Sequence, residues 1–414
     1  MGGRVGERAG TASKLALPRV SKQSLSRWIV IAAAGLLAAC QTIVPRGAEP
    51  APARPAARPA PTTAPQVEAG LPRDADRSRV ALLVPLSGGN AGVGQSIANA
   101  TMLALLDTQT RSVRITNYDT AAVAAGGAAG AARRAIAEGA QLILGPLLAE
   151  DVRAVAPIAK AAGVPVISFS NDTGVAGGGT YLMGYVPSQS IERVVDYARS
   201  RGVDTFAGLV PNGLYGERAS TAFLRAVEGA GGQVVSLQTY GRTTGAVSAA
   251  AQRLIAKAPY GAVLVADGGA IAATAAGVVK RGTGAGTHLL GTELWNSENG
   301  IAARPALAGA WFASVSNTLY RQYVTKYRAR FGAAPYRLSS LGYDSVLLTV
   351  RIARDWKPGS PFPEARLRDA DGFAGLDGAF RFNRDGVAER ALEVQEIRGG
   401  ATVTVSPAPT GFGK

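Results

Sequence analysis

Two residue types that carry much enzyme chemistry occur once each in the chain, as His288 and Cys40. A Ser-His-Asp or Cys-His mechanism would have to run through His288, which opens the apolar run His288 to Gly291 and reads as structural. One Cys makes no intrachain disulfide, and one Cys with one His cannot supply a zinc site of three or four such ligands. No lysine has a serine three residues before it, so the Ser-x-x-Lys of serine acyl-enzymes is absent, and there is no Gly-x-Ser-x-Gly. No spacing argues for a carboxylate pair that could cleave a glycan. Binding rather than catalysis is the expected function, with no cofactor and no metal.

The residues that could hold a ligand follow apolar runs. Ser87, Gly88 and Asn90 lie in Ser87 to Gly94, directly after Val80 to Pro85. Backbone N–H groups of such a loop could cradle an anion, but the loop matches neither GxGxxG nor a P-loop with its Lys. Turn geometry accounts for the glycines equally well. Ser168, Ser170 and Asn171 close the run Val164 to Phe169; Tyr215 follows Asn212; Asp267 follows Ala262 to Ala266. Tyr215 could stack on a ligand or hydrogen-bond to it, and Asp267 could hold an ammonium. Loop capping explains each of these positions as well. Glu293 and Trp295 offer further groups, with packing the better account of Trp295.

The elements that must position these loops alternate in type. Apolar β runs at Val80 to Pro85, Val113 to Tyr118, Gln141 to Leu144 and Val164 to Phe169 are separated by helical patterns. After Tyr181 to Pro187 the pattern restarts, with strands expected near Thr205 to Pro211, Gln233 to Leu237, Ala262 to Ala266 and His288 to Gly291. Runs this apolar, each followed by a helix, predict buried parallel strands with right-handed crossovers. The fold class is therefore α/β: two Rossmann-like lobes with parallel sheets and a cleft between them. The tail adds helices near Leu319 to Phe331 and Ser339 to Trp356, then strands near Gly378 to Phe382 and Leu392 to Ile397.

The N-terminal segment has a different character. Six basic residues precede the apolar run Trp28 to Leu37, which is too short to span a bilayer and suits an export signal. Leu37-Ala38-Ala39-Cys40 resembles the bacterial lipobox, which implies cleavage before Cys40 and its lipidation. Gln41 after the Cys implies, by the same resemblance, the periplasm-facing outer membrane. Residues 41–78 are rich in Pro, Ala and Arg and read as an extended linker, reaching roughly 100 Å at ~3.1 Å per residue. The net charge of +15 falls to about +10 once the signal is removed, with no basic block. Nucleic acid is not expected as a partner, and the membrane only through the lipid.

Several ordered motifs carry a family resemblance: VALLVPLSGGNAGVG (80–94), YDT (118–120), ILGPLLAEDVRAVAPIAKAAGVPVISFS (143–170), NGLYGERASTAFLRAVEGAGGQVV (212–235) and GLDGAFRFNRDG (375–386). The chain resembles a type I periplasmic solute-binding protein of the Leu/Ile/Val-binding group. The resemblance implies lobe one at 79–186 plus 314–356 and lobe two at 187–313 plus 357–405. Within the family the VPLSG, YDT and GPLLAEDV forms look closest to lipoprotein activators of penicillin-binding proteins. The partner so implied is a bifunctional peptidoglycan synthase. The alternative is the substrate-binding subunit of an ABC transporter for amino acids or related solutes, with a permease as partner. A third reading is a sensor with a small polar ligand or a muropeptide in its cleft. Amino-acid binders of the family hold the ligand carboxylate with hydroxyls in the loop that here reads Gly145 to Asp151; it has none, and it carries Glu150 and Asp151. That argues against a free α-amino acid held through the usual clamp.

Overall fold

The computed structural model describes residues 76–283, 286–298 and 300–412. The expectations for Cys40, the export signal and nearly all of the linker lie outside these residues. The described chain begins with β1 (Ser78–Val84), α1 (Ala91–Thr108), β2 (Val113–Asp119), α2 (Gly127–Ala137), β3 (Leu142–Leu144), α3 (Ala149–Ala161), β4 (Val166–Ser168) and β5 (Thr180–Leu182). These strands form one parallel sheet in the order β2-β1-β3-β4-β5. A second run follows: α4 (Pro187–Ser200), β6 (Thr205–Pro211), α5 (Leu214–Gly229), β7 (Gln233–Tyr240), α6 (Thr244–Ile255), β8 (Ala262–Val265), α7 (Gly269–Thr283), β9 (His288–Gly291) and β10 (Trp311–Ser314). The chain then forms α8 (Thr318–Phe331), α9 (Ser339–Ile352), β11 (Phe373–Gly375), β12 (Gly378–Phe382), β13 (Ala388–Arg390), β14 (Glu393–Arg398) and β15 (Ala401–Ser406). The second sheet is ordered β15-β14-β10-β9-β8-β6-β7, with β14 and β15 antiparallel to their neighbours.

Strands apolar at every position need cover on both faces, and the alternation along β1 shows how it is supplied. Val80, Leu82 and Val84 face Ile97 of α1 and Leu341 and Leu348 of α9. Ala81 and Leu83 face Ala131, Ala132 and Ala135 of α2 and Val155 of α3. The second sheet repeats the arrangement: Leu209, Val263 and Val265 pack with α6 and α7, whereas Val210, Ala262 and Leu264 pack with α4 and α5. Each lobe also brings a helix close to the strand before it. A Cβ at Gly94 would collide with the Pro85 carbonyl oxygen, and one at Gly216 with that of Pro211. Both helices can start this near their strands only because a glycine stands there.

The chain passes between the lobes near Val186, Val315 and Ala391, and the expected boundaries need correction. Segment 357–391 does not join lobe two. Phe362, Leu367, Phe373, Phe380, Phe382 and Ala388 share the buried cluster of Val80, Leu82 and Val84. The small antiparallel sheet β11-β12-β13 sits there, and Leu182 donates to the Gly386 carbonyl at 2.8 Å. The physical reason is the density of aromatic residues in this stretch, which find apolar cover beside α9. Lobe two keeps β10 through Ser314 and regains the chain only at β14.

Candidate functional site

A cavity of about 360 Å³ lies where the loops of the two lobes meet. In open α/β sheets the crevice beyond the carboxyl ends of the strands is where ligands bind. Lobe one contributes Asn90 and Val93 after β1, Leu147 and Leu148 after β3, Phe169 and Asn171 after β4, and Tyr185 after β5. Arg337 and Leu338 enter just before α9, and Arg390 from the end of β13. Lobe two contributes Gln189 and Ser190 from the first turn of α4, Glu293, Leu294 and Asn296 after β9, and Ser314 at the end of β10.

The lobe-one wall holds a buried charge network. Arg337 bonds the Asp377 carboxylate at 2.7 Å and the Ser340 hydroxyl at 2.8 Å, and it stacks 4.0 Å from the Tyr320 ring centroid. Asp377 also accepts from Tyr185 and from Ser340. Burial works against the Asp377 charge, but Arg337 and Arg390 outweigh it and hold the carboxyl below its usual value. Asp344, a neighbour in the same core, goes the other way: burial first, and the Asp377 charge second, push it up to about 7. Arg390 is 6% exposed. It donates through Nη2 to the Met183 carbonyl and lies over the rings of Tyr185 and Phe380. Its Nε and Nη1 are occluded and meet no acceptor among the described residues.

The lobe-two wall centres on Glu293. Its carboxylate accepts from Ser190 and, at 3.0 Å, from Tyr215. Burial raises its pKa, and those two hydroxyls only partly offset the rise. It makes no ion pair among the described residues. Gln189 ties the walls together, donating to the Ala388 carbonyl at 2.8 Å and accepting from the Arg390 amide at 3.1 Å. A second, more open groove of about 500 Å³ shares Asn171 and Val186 with the cavity and runs along α5. There Arg218 of lobe two bonds Asp172 of lobe one, which Arg153 also holds at 2.6 Å, and Arg218 donates to Thr173 at 3.1 Å.

Of the eight residues expected to touch a ligand, Asn90 and Asn171 line the cavity. The others are engaged elsewhere. Ser87 binds Asp119, and Gly88 turns the loop at φ 71°. The Ser168 hydroxyl donates to the Pro146 carbonyl and accepts from the Ser170 amide, while Ser170 accepts from the Asp172 amide. Tyr215 orients Glu293 from behind. Asp267 pairs with Arg242 at 3.1 Å and accepts from Tyr240, so no free carboxylate remains for an ammonium. Glu150 and Asp151 are off the wall, where their loop presents Leu147 and Leu148 instead. Trp295 is fully buried and donates to the Asp267 carbonyl. His288 stacks 4.0 Å from Trp311. Among the described residues no cluster of three His, Cys, Asp or Glu could hold a metal ion.

A periplasmic binding protein family model matches residues 78–401. The chain belongs to the periplasmic binding proteins. Membership implies a periplasmic location. A putative branched-chain amino acid ABC transporter protein of Rhodospirillum rubrum superposes with a TM-score of 0.68 at 20% identity, covering 80% of this chain and all of that one. A leucine-binding protein of Thermotoga maritima gives 0.61 at 19% over 80% and 98%. A branched-chain amino acid transporter substrate-binding protein of Streptococcus pneumoniae, in complex with isoleucine, gives 0.60 at 18% over 80% and 100%. At these identities the likeness shows the fold: two lobes with parallel sheets. An uncharacterised protein of Rickettsia prowazekii is 26% identical over 141 residues, 34% of this chain and 37% of its own length. The chain thus spans well under half of that curated relative. Nothing in these comparisons supports the synthase-activator subgroup that the motifs resemble.

Proposed function

We propose that this protein is a solute receptor: it takes a small organic molecule between its lobes and presents it to an ABC permease. The observation that carries the reading is the cavity itself, walled by both lobes and lined by apolar side chains with a few polar groups aimed inward, the usual make-up of a small-molecule site. The relatives of known structure are solute-binding proteins, one of them holding isoleucine, and a stacked, partly covered His288 offers no catalytic apparatus. The full chain is tested by thermal shift and calorimetry against amino acids, organic acids, amides and sugars. The receptor reading expects one-to-one binding of at least one compound with a rise of several degrees in Tm. Failure of every chemical class to bind would remove it.

The N-terminal segment fits the same reading. Cys40 carries the lipid, and the Pro-rich stretch after it tethers the folded lobes to the membrane. Cys40→Ser is expected to move the protein from the membrane pellet to the soluble periplasmic fraction; retention in the pellet would refute the anchor.

A further inference from the structure

We infer that two copies of this chain pair through β15, edge to edge and antiparallel, about a two-fold axis at Val403. The inference goes beyond the receptor reading and does not depend on it.

A strand at the edge of a sheet has a neighbour on one side only. Its outward N–H and C=O groups face water or another chain. The described edges differ in how they are closed. β5 has three residues, and Leu182 at its end bonds the Gly386 carbonyl. At β13 the Gln189 side chain takes the Ala388 carbonyl and the Arg390 amide, as a further strand would. At β7 Arg253 reaches the Thr239 carbonyl at 3.2 Å. β2 carries Arg114 and Asp119, and β11 has three residues. Charge, shortness and side-chain cover are the usual guards against unwanted pairing.

β15 lacks them along most of its length. Its six residues, Ala-Thr-Val-Thr-Val-Ser, include no charge. Gly399 and Gly400, at φ 60° and 78°, make the two-residue turn that lays it along β14. Ala401 to Thr404 are exposed, and among the described residues no side chain bonds their backbone. Cover begins only at Ser406, which Arg193 holds at 2.6 Å. Val403 lies near the middle of the strand and is 39% exposed.

The occupant that fits is a second copy. The chain's own linker is rich in proline, which has no N–H to give a ladder. A second copy brings an identical bare edge, so the pairing satisfies both strands at once. Only a two-fold axis perpendicular to the sheet lays identical edges antiparallel, and it keeps the faces of the two sheets aligned. Residues of the same parity must then stand opposite each other. An axis at Val403 sets that residue against itself and Thr402 against Thr404 of the second copy. These are β-branched cross-strand pairs without like charges. The two seven-stranded sheets join across the axis.

The test is sedimentation velocity of the full chain over a range of concentrations. The interface is small, so the mean mass should rise toward twice the monomer at roughly 100 µM rather than at nanomolar concentration. Val403→Lys and Val403→Glu should each stay monomeric, because like charges meet at the axis. An equal mixture of the two should regain the association of the parent, since Lys then faces Glu. Recovery shows that both variants fold, and the parent's substituted versions control for association through the N-terminal segment. Amide hydrogen exchange over Ala401 to Thr404 of the unaltered chain should slow severalfold on concentration, while that of β2 should not change. A parent that remains monomeric, single variants that associate as the parent does, a mixture that fails to recover, or exchange at β15 indifferent to concentration would each overturn the inference.

Discussion

The lobe-one wall of the cavity is built on cations and the lobe-two wall on a carboxylate, and they differ in how far their hydrogen bonds are completed. On lobe two, Glu293 has a hydroxyl donor on each oxygen, from Ser190 and Tyr215. On lobe one, Arg337 is matched by Asp377 except at its Nε, whereas Arg390 leaves both Nε and Nη1 without acceptors among the described residues. A buried group with its partners in place keeps the cavity in shape. Glu293 and Arg337 therefore hold the shape of their walls, and each role can be broken separately.

Arg337 should give the largest effect. Its side chain is 5% exposed and its partner Asp377 0%. Removing one member of a buried pair leaves the other charged and uncompensated, at about 3–5 kcal/mol. Arg337→Met is therefore expected to lower unfolding free energy by that amount in urea titrations. Arg337→Met combined with Asp377→Asn should recover part of the loss, because the orphaned charge is gone. A single variant within about 1 kcal/mol of the parent would show that the pair is not structural.

Proton linkage should give the next largest effect. A carboxyl whose pKa is higher folded than unfolded binds protons preferentially in the folded state, so stability falls as pH rises between the two values. For Asp344 that window runs from 3.8 to about 7, and Glu293 adds a fall in the same direction from 4.5 upward. Asp377 acts oppositely: its stabilisation is lost as pH drops below its unfolded value of 3.8. Stability should therefore peak in mildly acid solution and decline toward neutrality by a few kcal/mol at most. Asp344→Asn should flatten the Tm profile between pH 4 and 7, whereas Glu293→Gln should flatten only part of it. A profile unchanged by Asp344→Asn would place the titrating group elsewhere.

The fold was largely legible in the sequence because buried parallel strands are apolar at successive positions, and Val80 to Val84 or Ala262 to Val265 have few other homes. The site was less so. Asn90 and Asn171 follow strands whose carboxyl ends open on the cleft, and position alone located them. Ser168, Ser170 and Asp267 share that position, but their side chains are taken by a backbone carbonyl, a backbone amide and Arg242, which no pattern in the chain announces. Nothing in the residue pattern marks Arg337 as buried. The one available signal was alternation in Val387-Ala388-Glu389-Arg390, where Arg390 shares the inward face of Ala388. The expectation that 357–405 belongs to lobe two puts Arg390 far from lobe one's wall, where the structure has it.

The smallest expected effect concerns what joins the lobes. Arg218 crosses from α5 to Asp172 and Thr173 of lobe one. Its side chain is 27% exposed, and without it Asp172 still keeps Arg153 and the Gly174 amide. Arg218→Ala should therefore cost the fold no more than about 1 kcal/mol. The same energy acts on the balance between separated and joined lobes, because the contact exists only when they meet. About 1 kcal/mol is a factor of roughly five in that equilibrium. The unliganded variant should show a larger radius of gyration in solution scattering, and a solute bound between the walls should reduce it again. A variant that leaves the radius unchanged while weakening solute binding would move Arg218 from the joint between the walls to the wall itself.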